Sequence, residues 1–157
     1  MSESLGTKLP ESVMENLLSS NEERENSVIF MLTVDHSEFP HVALLSPYQV
    51  VAHNHEKLFL LVYRKTESQV LLRSRGRCTL IIQDLPSLLY LELNVKRVNS
   101  WEDEEQALYS ASIVDISRDY AEKSPIISDL RFKEEKVKDA YQNSFLRIRE
   151  HIEKLQS

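Results

Sequence analysis

The chain has 157 residues, enough for one domain with a sizeable core, and its 41% hydrophobic and 28% charged residues suit a globular protein. A formal net charge of −6 without any basic stretch argues against a nucleic-acid binder, although a local basic pocket for a small phosphorylated ligand remains compatible with it. The longest apolar runs, VIFML and LFLLVY, are too short to span a bilayer, and Cys78, the one cysteine, cannot form an intramolecular disulfide. The N-terminus MSESLGTKLPES has neither the basic region nor the apolar core of a secretory signal, so the expected location is the cytoplasm.

Taken in chain order, Pro10 and Glu11 suit a first helical turn, and Val13, Met14, Leu17 and Leu18 recur at helical spacing, predicting a helix over about 10–18. The polar run SSNEEREN then ends it. VIFMLTVD predicts a mostly buried strand at 28–35, and a turn at His36–Phe39 leads into a second strand at 40–51. Pro40 can open that strand, whereas Pro47 implies a bulge or an unpaired edge position within it. KLFLLVY (57–63) is the third strand, RCTLIIQ (77–83) the fourth and LLYLELNVKRV (88–98) the fifth. The fifth alternates Leu89, Leu91, Leu93 and Val95 with polar neighbours, the period of a half-exposed strand. YSASIVDIS (109–117) is a sixth, after an acidic loop or single helical turn at 100–108.

Between the third and fourth strands, Thr66 can cap a helix, with Gln69 completing a capping box and Gly76 closing it in the left-handed conformation. Residues 132–155 carry Val137, Tyr141, Phe145, Ile148, Ile152 and Leu155 in one stripe, an amphipathic helix whose apolar face serves core or dimer packing. Antiparallel strands with flanking helices predict a single α+β domain, mainly β, over 1–157, with a six-stranded antiparallel barrel across about 28–117.

Several residues have a plain structural reading. Cys78 sits in an apolar strand and reads as an inert buried thiol. His53 and His55 lack a third partner at metal-ligand spacing and read as part of a solvated turn. Arg73, Arg75 and Arg77 surround Gly76 and read as groups capping the helix end. Trp101 either stacks on a ligand or covers the barrel end. No nucleophile–base–acid set is evident, and the two glycines exclude a glycine-rich phosphate loop.

The succession VIFMLTVD, turn, PHVALLSP, KLFLLVY, TESQVLLRS and GRCTLII resembles the split-barrel flavoproteins of the pyridoxamine 5'-phosphate oxidase-like family over about residues 10–98. The resemblance implies FMN bound across a homodimer interface. Its phosphate would lie at the end of the third strand and the start of the next helix, matching Tyr63, Arg64, Lys65, Thr66 and Ser68. His41, Val42, Ala43 and Leu44 match the stretch that lines the ring and phosphate in relatives. Three positions depart from the pattern: Ser68 stands where many relatives have lysine, Leu71 where they often have asparagine, and His41 where arginine or lysine is frequent. The resemblance implies an FMN-binding oxidoreductase-like protein, with two other readings on the same scaffold: a non-enzymatic flavin, deazaflavin or haem binder, and a cofactor-free dimer.

Overall fold

The computed structural model describes residues 2–157, apart from the side chains of Glu134 and Glu135. Eight strands form one sheet: β1 (Ser2–Gly6), β2 (Ile29–Val34), β3 (Pro40–Leu45), β4 (Val50–Asn54), β5 (Lys57–Tyr63), β6 (Arg77–Asp84), β7 (Ser87–Arg97) and β8 (Gln106–Asp119). Three α-helices accompany them: α1 (Glu11–Leu17), α2 (Glu67–Arg75) and α3 (Glu134–Gln156). The strand order is β3-β2-β6-β7-β8-β5-β4, with β1 added to β8, and every pairing is antiparallel. None of the helices is long and apolar enough to cross a membrane.

The expected mainly-β architecture holds, but the six-stranded barrel is corrected to an eight-stranded sheet that does not close. The segment expected as one strand at 40–51 is two strands on opposite edges of the sheet. They are separated by a 3-10 turn at Pro47–Gln49. Pro47 has no N–H to give a ladder, so the ribbon breaks there. The other addition, β1, has an exposed, irregular sequence and is held by backbone pairing to residues 116–119 of β8.

β8 explains the sheet's continuity. Its 14 residues pair with β7 along one side, and with β5 and then β1 along the other. The sheet curls around a first core that includes Ile29, Met31, Leu58, Leu60, Val62, Leu80, Leu89, Leu91 and Leu93. A second core lies on the other face of β4, β5 and β8, where Val51, Phe59, Leu61 and Leu108 meet Val137, Phe145, Ile148 and Ile152 of α3. Two cores account for the two kinds of strand. β5 is sandwiched between them and is apolar and buried from Leu58 to Val62, whereas β7 exposes Glu92 and Asn94 on either side of buried Leu93.

The stripe on α3 is therefore internal packing, with Tyr141 half-buried and Leu155 exposed. Trp101 belongs to this second core, with the Arg147 guanidinium 4.2 Å above its ring and tied by hydrogen bonds to Asp103 and Glu102 O. Its role is to cover that face of the sheet. The acidic segment before β8 is a loop, ordered by Asp103 Oδ1 accepting from the amides of Glu105 and Gln106.

Arg24, from the polar run after α1, is only 4% exposed. It donates to Pro47 O (2.8 Å), Val50 O (2.9 Å), Leu17 O (3.1 Å) and Leu18 O (2.7 Å), and its guanidinium lies 4.4 Å from the Phe145 ring centre. Burial lowers its pKa to about 9, which leaves it charged at neutral pH. One side chain thus joins α1, the 3-10 turn, β4 and α3. Arg24→Met keeps the aliphatic packing but strands four carbonyls. It should cost about 3 kcal/mol or more in urea unfolding, and a loss below about 1 kcal/mol would contradict this role.

Docking of α3 also carries a pH dependence. His53 stacks on Phe59 at 6.1 Å, and His151 of α3 meets the same ring edge-on at 5.5 Å. Burial, and then Lys57, lower the pKa of His53; burial, then Lys154 and His53, lower that of His151. The unfolded chain takes up these protons near the ordinary histidine pKa of about 6.5, so the folded state loses ground as pH falls below that value. Urea midpoints measured at pH 7.5 and 5.5 should drop more in the wild type than in the double variant His53→Gln, His151→Gln. Equal drops would remove these histidines from the account.

Candidate functional site

The site is built where α2 meets the edge strand β3. Thr66 caps α2: its Oγ1 accepts from the Gln69 amide (3.3 Å) and donates to Tyr63 O (2.8 Å). The reciprocal half of the expected capping box does not form, because the Gln69 side chain donates to Tyr109 Oη instead. At the other end Gly76 takes φ 68°, and its amide bonds to Leu72 O, as the sequence predicts. Buried Leu71 and Leu72 hold the helix against the sheet. Arg75 does not cap its own helix; it reaches the carbonyls of Val34 and Asp35 at the turn between β2 and β3. That contact ties the end of α2 to the end of β2 and the turn that leads to β3.

The first turn of α2 faces β3. His41 Nε2 lies 3.1 Å from Ser68 Oγ, and His41 Nδ1 lies 3.5 Å from Glu67 Oε2. Ser68 is buried, His41 half-buried and Glu67 exposed. Thr33 pairs with His41 across β2 and β3, so the two side chains share one face of the sheet. The Thr33 hydroxyl is buried without a hydrogen-bond partner among the described residues. Lys65 precedes the cap, exposed and in the left-handed region at φ 62°, a strained conformation for a residue with a Cβ.

Of the nine positions singled out by sequence, His41, Thr66 and Ser68 converge, and Lys65 heads the same turn. The four residues of β3 divide by strand alternation. His41 and Ala43 turn inward, while Val42 and Leu44 stand on the outer face, each 53% exposed. Tyr63 and Arg64 point elsewhere. The Tyr63 ring lies 6.1 Å from that of Tyr141 on α3. Arg64 Nε donates to Gln106 O (3.3 Å), in a cleft of about 500 Å³ shared with Arg97, Asn99 and Trp101.

Sequence reasoning missed Glu67 and Thr33. Glu67 has an ordinary explanation as an acidic residue in a first helical turn, and Thr33 continues the inward alternation of Met31. The remaining candidates settle into structural roles. Cys78 is buried, and burial raises its thiol pKa to about 12. His55 bonds Glu11 (2.7 Å), and no three His, Cys, Asp or Glu side chains converge as a metal site among the described residues.

The donors at this junction are an imidazole, a serine hydroxyl and the first amides of a helix, with exposed Lys65 one residue before the cap. Such a set suits an oxyanion, while the Glu67 carboxylate opposes one.

No protein-family model matches the chain, and no curated protein matches it. Solved structures do. A candidate pyridoxamine 5'-phosphate oxidase from Lactobacillus delbrueckii aligns with a TM-score of 0.56 at 16% identity, covering 73% of this chain and 98% of that one. An F420 reductase aligns at 0.51 and 12% identity, covering 69% and 98%. HupZ of Group A Streptococcus aligns at 0.54 and 8% identity, covering 80% and 100%. At these identities the likeness is one of fold. The chain has the fold of the pyridoxamine 5'-phosphate oxidase-like proteins.

Proposed function

We propose that this chain is an FMN-binding, oxidoreductase-like protein that works as a homodimer, with the phosphate at the start of α2 and the ring system along β3. The observation that carries this reading is the contact between His41 and Ser68. It joins a residue of β3 to a residue of the α2 first turn, the two segments that the resemblance assigns to the flavin site. In this reading His41, Lys65, Thr66 and Ser68 surround the phosphate, and Val42, Ala43 and Leu44 lie along the ring. Tyr63 and Arg64, turned toward Tyr141 and Gln106, stand outside the site. The flavin would supply the electron transfer, and the chain's residues bind and orient it. The likeness to F420 reductase supports a deazaflavin as the other member of this ligand class.

The homodimer draws support from the outer face of the sheet. Val34, Val42 and Leu44 are exposed there beside half-buried Phe30 and Leu32, an apolar surface on an edge strand. A two-fold partner over this face would cover the patch.

Absorption spectroscopy and titration test the reading together. Protein purified without added cofactor should show, or take up, a flavin spectrum. Lys65→Ala should weaken FMN by about tenfold to a hundredfold, the loss of one charge-assisted hydrogen bond, while riboflavin loses much less. Equal losses for both ligands would move the phosphate elsewhere. A colourless protein that binds neither would favour the cofactor-free dimer.

A further inference from the structure

The phosphate reading leaves one residue of the α2 first turn unaccounted for. Glu67 is an acid at the mouth of a site whose other groups are donors. Its side chain is 59% exposed, and its carboxylate lies 3.5 Å from His41 Nδ1. The other ring nitrogen is held by Ser68, so the imidazole is fixed between a hydroxyl and a carboxylate. An exposed ion pair at this distance is weak, and a long glutamate side chain is free to swing out. The Thr33 hydroxyl, on the same face of the sheet as His41, is buried with its hydrogen-bonding capacity unmet. The site therefore contains one anion, loosely held, in a place furnished for an anion.

We infer that Glu67 is an internal competitor for the anion seat at His41 and Ser68, and that a phosphate-bearing ligand enters by displacing its carboxylate from the imidazole. This rests on the reading of the α2 first turn as the phosphate site. The carboxylate acts against a phosphate in two ways. It occupies His41, and its charge at the first helical position offsets the positive end of the α2 dipole. Neutralising it removes both effects, and its exposure lets the change leave the fold intact. Glu67 thus sets a selectivity. It lowers affinity for the phosphorylated flavin without touching the ring system, narrowing the advantage of FMN over riboflavin.

The test titrates FMN and riboflavin against the full-length wild type and Glu67→Gln. FMN should bind the variant about three- to tenfold more tightly, the scale of one screened charge pair at close range, with riboflavin unchanged. Unchanged or weaker FMN binding in the variant overturns the inference. If neither protein binds a flavin, the flavin reading fails on its own, and inorganic phosphate decides the seat. The His41 ring resonances should then respond at lower phosphate concentration in Glu67→Gln than in the wild type. The same response in both proteins, or none in either, overturns the inference independently of any flavin.

Discussion

The rest of the structure depends on how the chain is broken at Pro47. Without an N–H at this position the second ribbon cannot run on, and β3 and β4 part to opposite edges of one sheet. The break leaves backbone groups without ladder partners, and two buried side chains meet them. Gln49 accepts from the Ser46 amide and donates to Leu61 O, while Arg24 takes the carbonyls of Pro47 and Val50. Because the same guanidinium also takes the last carbonyls of α1 and lies against Phe145, the turn is fixed to both cores. The sheet can then curl without closing. β3 is left as a free edge beside the first turn of α2, and the candidate site occupies that junction.

Strand alternation converts this geometry into chemistry. On β3, His41 and Ala43 turn toward the interior while Val42 and Leu44 face out, so one short segment supplies both a polar site and an apolar outer surface. A ligand with an anionic end and a flat apolar body suits such an edge better than it suits a closed barrel. The second core frees the first from supporting the molecule alone. With α3 covering β4, β5 and β8, the opposite edge at β3 can stay open without loss of a continuous interior.

Much of this was legible in the sequence because the signals are local. β5 spans 57–63 as its apolar run predicts, and α2 begins after Thr66 and ends at Gly76 as their capping chemistry predicts. Pro47 announced an irregularity, but whether a proline bulges a strand or sends it to another edge depends on partners distant in sequence. Arg24 was hidden for the same reason. A lone arginine in SSNEEREN reads as solvated, and its burial arises only when carbonyls from α1 and from the turn at Pro47 converge on it. β1 has no periodicity and no fully buried residue, and beyond its backbone pairing only Leu5 and the Ser4–Asp115 hydrogen bond tie it down among the described residues. In the site, resemblance identified the two segments, but side-chain direction followed from packing. Tyr63 and Arg64 go with α3, and Glu67 comes to His41.

The proposed function puts a phosphate on the first turn of α2 beside β3. Amide hydrogen exchange, compared with FMN, with riboflavin and without ligand, measures this directly. FMN should slow exchange at residues 66–70 and along 40–45, while riboflavin protects 40–45 and leaves 66–70 at the ligand-free rate. Protection by FMN confined to the cleft around Arg64, Arg97 and Trp101, with residues 66–70 unchanged, would contradict the claim.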